Sequence, residues 1–163
     1  MEYVEGHSNS AGASIKLHSV DKLYEYANRK LADVNFNEGV YEADFILNGN
    51  TSYLAELIKD LNKGKSLYGQ GCPEPVLVVE NIALPPNGYS IIGKNRDTLR
   101  FEFNKITYVK FKASELIEQL EKTKSGLNIT VIGRGNINTW GGYNKPQILI
   151  DDIEVEETSL YTF

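Results

Sequence analysis

Between residues 20 and 31 the apolar side chains recur every third or fourth position, placing Val20, Leu23, Tyr24, Ala27 and Leu31 on one stripe. That period predicts an amphipathic helix, with Ser19 set to cap it and Asp21 in its first turn. Ahead of it, the small and polar run of residues 6–12 predicts a loop that enters a short strand at residues 14–17. The rhythm then changes. From residue 41 to 47, Tyr41, Ala43, Phe45 and Leu47 alternate with Glu42 and Asp44, the period of two of a half-buried strand. Asn48-Gly49-Asn50 interrupts it. Leu54, Leu57, Ile58 and Leu61 restore helical spacing, with Asn50 or Thr51 as the cap and Gly64 beyond the end.

After Pro75 the pattern is one of strands, rich in β-branched and aromatic residues, at 76–82, 89–92, 99–103, 106–111, 127–132 and 147–155. One short helix interrupts them at 115–122, with Ser114 as its cap and Gly126 after its end. Pro85-Pro86-Asn87-Gly88 and Asn104-Lys105 read as hairpin connections. The pattern predicts a mainly β fold with flanking helices (α+β) around a small barrel. Five or six strands with a late helix suit the oligonucleotide/oligosaccharide-binding (OB) architecture, and an SH3-like barrel or an open sheet would give a similar pattern.

Composition narrows the function classes. The 163 residues hold 17 Lys+Arg and 22 Asp+Glu, a net charge of −5, which argues against a uniformly basic nucleic-acid binder. The total hides a layout. Residues 1–84 carry 7 basic and 12 acidic groups (net −5), residues 85–146 carry 10 and 5 (net +5), and residues 147–163 carry 0 and 5 (net −5). One Cys, Cys72, leaves no disulfide framework and no Cys-based zinc site, and two His argue against a His-rich metal centre. No apolar run reaches the roughly 18 residues of a membrane span, and the amino terminus lacks a secretory pattern. A soluble, cytoplasmic chain is the expectation.

Few motifs carry chemistry. Gly64-Lys65-Ser66 lacks the earlier glycine of a phosphate loop, and Gly133-Arg134-Gly135 reads as a turn. Asp151, Asp152 and Glu154 offer carboxylates for a hard cation, but alternation sends the two Asp residues to opposite strand faces, and a solvated edge is the plainer reading. No nucleophile constellation can be drawn. The basic middle is richer. Tyr108, Lys110 and Lys112 share one strand face, while Thr107, Val109 and Phe111 on the other can enter a core. Lys94, Arg96 and Arg100 precede them, and Arg134, Trp140, Tyr143 and Lys145 crowd the glycine-rich connection 133–146. Aromatic faces interleaved with cations are what a single-strand-binding groove requires. The same residues also suit a solubilised outer face with Trp140 packed into the barrel end.

Three segments resemble the carboxy-terminal part of RecJ-type single-strand-specific DNA exonucleases of the DHH phosphoesterase superfamily. Residues 5–12, EGHSNSAG, are similar to a Gly-Gly-His…Ala-Ala-Gly motif of the DHH-associated domain. Residues 67–75, LYGQGCPEP, resemble the Pro-Phe-Gly-x-Gly-Asn-Pro-x-Pro element that leads into the OB domain. Residues 133–143, GRGNINTWGGY, with Pro146-Gln147 and Asp151, resemble the family's late hairpin. Glu5, Ser10 and Cys72 depart from the pattern, and Glu5 sets a negative side chain where glycine would let backbone approach a phosphate.

The resemblance implies an organisation of residues 1–36 as the end of a DHH-associated domain, 37–157 as an OB-like barrel and 158–163 as a tail. It implies the non-catalytic, DNA-gripping portion of a 5′ to 3′ exonuclease of repair and recombination, without the catalytic domain. Mn²⁺ or Mg²⁺ would belong to that domain, so no cofactor is expected in this chain. His7 would lie near the scissile phosphate. Lys94, Arg96, Arg100, Lys110, Lys112, Arg134 and Lys145 would meet phosphates, and Tyr108, Trp140 or Tyr143 would stack bases. The expected partners are single-stranded DNA and the catalytic DHH domain. The alternative is a structural or docking module that contacts the catalytic domain or a single-strand-binding protein.

Overall fold

The computed structural model describes residues 3–7, 10–33 and 41–158, which fall into two compact units, Met1–Val40 and Tyr41–Phe163. In the first unit, β1 (Tyr3–His7) and β2 (Ser10–Ser14) form an antiparallel pair in the register Tyr3↔Ser14 to His7↔Ser10. The loop expected at residues 6–12 is therefore largely strand, apart from residues 8 and 9, which lie outside the described residues. Its small side chains give no apolar alternation, and what pairs is the backbone. The strand expected at 14–17 ends at Ser14, because Leu17–Ser19 winds into a 3₁₀ turn that runs straight into α1 (Val20–Leu31). The helix keeps its predicted bounds. Ser19, already helical in backbone, makes no side-chain cap.

The second unit holds the buried core. Residues 41–44 do not join a strand, since the Asp44 carboxylate turns back to accept from the Val76 amide at 2.8 Å, and β3 begins only at Phe45 (Phe45–Asn48). In α2 (Leu54–Lys63), Leu54, Leu57 and Ile58 are buried. Tyr53 rather than Asn50 or Thr51 precedes it, and the Asn50 amide is taken by the Asn48 side chain at 2.9 Å. Six further strands follow: β4 (Leu77–Leu84), β5 (Tyr89–Ile92), β6 (Thr98–Phe103), β7 (Ile106–Lys110), β8 (Gly126–Asn138) and β9 (Lys145–Thr158). Between β7 and β8 lies α3 (Ser114–Leu120), with Ala113 at the cap position and Ser114 already in its first turn.

One sheet joins seven strands in the order β3-β4-β8-β9-β7-β6-β5. Pairings β3 with β4 and β7 with β9 are parallel, and the rest are antiparallel. Taking β4, β6, β7, β8 and β9 as five strands with a helix after the third gives the partly open Greek-key barrel of an OB-like fold. Its first and second strands, β4 and β6, share no ladder, so the sheet is not closed among the described residues. The reason is local. Pro85-Pro86-Asn87-Gly88 makes a turn, closed by the Gly88 amide on the Pro85 carbonyl at 2.9 Å, but β4 and β5 on either side of it do not pair. It is not the hairpin the sequence suggested. Asn104-Lys105 is one: both residues have positive φ, 47° and 65°, between the paired Phe103 and Ile106.

Strand β8 runs on through Gly133-Arg134-Gly135, where a turn was expected. It pairs with β9 along its whole length, with a bulge where Ile132↔Asp152 gives way to Gly133↔Ile150, leaving Asp151 as the extra residue. A Cβ on Gly133 would overlap the Leu149 carbonyl oxygen and sit 3.0 Å from the Ile150 Cα, so this glycine permits the close backbone approach. Leu77, Val79, Ile82, Leu99, Phe101, Tyr108, Ile129, Val131 and Ile148 form one core cluster with Leu54, Leu57 and Ile58 of α2 and Ile117 and Leu120 of α3. Phe101 and Tyr108 stack there with ring centroids 4.9 Å apart.

Candidate nucleic-acid interface

Because Leu99, Phe101, Tyr108 and Ile148 point inward, the residues between them point out. The ladder sets those outward residues side by side: Ser90 with Arg100, Arg100 with Val109, Val109 with Leu149, Thr107 with Gln147, and Asn138 with Lys145. The face of β7 assigned from sequence is thereby reversed. Tyr108 is fully buried, so it offers no ring to a base, whereas Thr107 and Val109, each only 8% exposed, lie on the opposite face and line a groove there with the exposed Phe111. Two lysines break the parity. Lys110, at the strand end, bends to donate to the Asp151 carbonyl at 2.9 Å, and Lys112 has a positive φ of 53° that takes it out of the alternation.

These outward residues form the floor of an open groove of about 560 Å³, bounded by Ile92, Arg100, Val109 and Phe111 and by the segment from Asn138 to Lys145. Trp140, Tyr143 and Phe111 present rings that are 89%, 71% and 60% exposed, so Trp140 does not plug the barrel end. The connection holds the indole out by a short turn, in which the Trp140 amide donates to Asn138 Oδ1 at 2.9 Å and Gly141 and Gly142 take φ of 74° and 79°. Lys145 lines the groove. Arg100 lines it as well, in an ion pair with Glu102.

The other cations are elsewhere. Arg134 is held by Asp151 at 2.8 Å, and Arg96 by Glu121 at 3.4 Å. Lys94 stands in the turn after β5, and Lys112 beside the start of α3. His7 closes β1 in the first unit, in register with Ser10. The groove therefore gathers Arg100, Trp140, Tyr143 and Lys145 from the sequence-derived set. To these it adds Val109 and Phe111, which the sequence pattern places on the core side of β7, and Ile92, for which the sequence carries no site signal. The alternation along β7, taken in the opposite sense, was the signal that could have found Val109 and Phe111.

Beyond the bulge the same face is acidic. Asp152, Glu154 and Glu156 are exposed opposite Ile132, Thr130 and Asn128. Burial, then the fields of Asp152 and Asp151, push the Tyr41 phenol up, against the opposing pull of Arg134. No group of three or more His, Cys, Asp or Glu able to hold a metal ion occurs among the described residues. These residues do not fit the Mn²⁺ or Mg²⁺ site that the resemblance assigns to a catalytic domain. No helix among the described residues is long and apolar enough to cross a membrane.

The family model described as the RecJ OB domain matches residues 50–152. The chain is 31% identical over 159 residues to YorK of Bacillus subtilis (strain 168), which bears the name of a putative SPbeta prophage-derived single-strand DNA-specific exonuclease; 96% of this chain and 27% of that protein are covered. It is 31% identical over 164 residues to the single-stranded-DNA-specific exonuclease RecJ of the same organism, covering 96% and 20%. It thus spans about a quarter or less of the length of these relatives. Among solved structures, RecJ of Thermus thermophilus with Mn²⁺ superposes with a TM-score of 0.58 at 18% identity, covering 96% of this chain and 22% of that one. The Mg²⁺ complex gives 0.60 at 17%, covering 96% and 23%. At those identities the likeness is one of fold.

Proposed function

Because this chain belongs to the RecJ OB domain family, we propose that the groove over β6 and β7 grips single-stranded DNA for a RecJ-like 5′ to 3′ exonuclease of DNA repair or recombination. The observation that carries this reading is the placement of Trp140. Its exposed indole stands with Tyr143 and Phe111 beside Arg100 and Lys145, over the strand 2–3 face and on the loop between strands 4 and 5. OB folds bind oligonucleotides at that face and that loop. Aromatic faces stack bases for about 1–3 kcal/mol each, and the cations meet phosphates without reading sequence. Hydrolysis itself would be the work of a metal-dependent catalytic domain in the cytoplasmic parent enzyme, to which this module delivers the strand.

Trp140 is also the one tryptophan of the chain, so its emission reports on the groove directly. Titration with oligo-dT at low salt is expected to quench it. Arg100→Ala/Lys145→Ala should weaken binding and flatten the salt dependence by about 1.4 in log–log slope, for two phosphate contacts at about 0.7 each. An affinity indifferent to both changes would overturn the reading. The apolar floor of Ile92, Val109 and Leu149 beside two cations favours one other occupant, an acidic peptide such as the tail of a single-strand-binding protein. Quenching by such a peptide and not by oligo-dT would select it.

A further inference from the structure

The outward face changes sign at one point. On the groove side of the β8–β9 bulge, strands β5, β6 and β7 with residues 134–138 and 145–150 carry Arg100, Lys110, Arg134 and Lys145 against one acid, Glu102. On the far side, β3, β4 and residues 126–133 and 151–158 contain no Lys or Arg, and they carry Glu80, Asp151, Asp152, Glu154, Glu156 and Glu157. Asp152, Glu154 and Glu156 point outward, because Ile153 and Val155 between them pack on the core. At the boundary itself, the extra residue Asp151 engages Arg134 through its carboxylate and Lys110 through its carbonyl. The last two cations before the acidic half are thus already engaged.

Resting on the single-strand reading above, we infer that the bulge at Asp151 is a stop for the nucleic-acid path. The strand crosses β9, β7, β6 and β5 through the groove and is turned away from β8 and β4 by Asp152, Glu154 and Glu156. Every further nucleotide would bring another phosphate over carboxylates on strand segments that carry no Lys or Arg, and like charges set face to face are repelled. The module therefore engages a short stretch of single strand and does not wrap it around the sheet, which makes these acids determinants of footprint length.

Oligo-dT of increasing length, read by Trp140 emission on the full chain at low salt, tests this. In the wild type, affinity per available binding register should stop rising at about four nucleotides, the low end of the range for OB folds. Glu154→Lys/Glu156→Lys changes two exposed residues. It should leave four-nucleotide binding within about twofold, tighten a sixteen-mer by about tenfold or more, and steepen its salt slope by about 1.4. An equal gain at both lengths would mean a diffuse field and would overturn the stop, as would a wild-type affinity per register that climbs steadily to sixteen nucleotides. Absence of quenching at every length in the wild type defeats the DNA-binding reading itself, a different result from either of these.

Discussion

Tyr108 carries a hydroxyl into the interior of the second unit, fully buried, with no hydrogen-bond partner among the described residues. Burial raises its phenol above the ordinary value near 10. The folded chain keeps this proton where the unfolded chain releases it. Stability should therefore be undiminished below about pH 10 and fall as pH climbs beyond it, which pH-dependent urea melts would detect. Tyr108→Phe removes a buried, unpaired polar group and should be neutral or stabilising by about 1 kcal/mol, with oligo-dT affinity unchanged. A loss of binding in that variant would put Tyr108 back at the interface. From sequence, strand parity correctly paired Tyr108 against Val109, but parity cannot say which side is inside. The stack on Phe101, a contact with the neighbouring strand, decides it.

At the scale of elements, legibility follows the physical origin of each signal. Helix α1 lies at its predicted bounds because its apolar stripe is a local property, and β5 likewise. Capping was less legible: Ser19 and Ser114 are near helix starts, yet neither start is held by a side-chain cap. Pattern and structure differ most along β8, whose glycines look like a turn and are strand. Gly133 is small because β9 bulges against it, a requirement set by a segment about 17 residues away in sequence and invisible to any local window. Gly133→Ala should cost about 1–3 kcal/mol, since its methyl meets backbone that cannot swing aside as a side chain would. Chemical denaturation within about 0.5 kcal/mol of wild type would show that the bulge yields more easily than its geometry implies.

For the whole molecule, the buried core identified among the described residues runs from Leu54 to Ile150, all within the second unit. Residues 41–163 alone are therefore expected to unfold in one cooperative transition, and a broad, non-cooperative melt would overturn that independence. The charge arithmetic sharpens at this scale too. The sequence shows a basic block between acidic ones, but folding ties Arg134, Arg96 and Arg100 of that block into ion pairs with Asp151, Glu121 and Glu102, and of these only Arg100 lines the groove, with Lys145. By itself the sequence determined the mainly β class, the helices and most strands, and the family resemblance, because these rest on periodicity and on short runs of residues adjacent in the chain. Only the tertiary structure decided which face of β7 joins the core, that the sheet is not closed among the described residues, and where cations give way to acids. Each of those depends on cross-strand register, which brings together residues far apart in sequence and is set by the packing of the core.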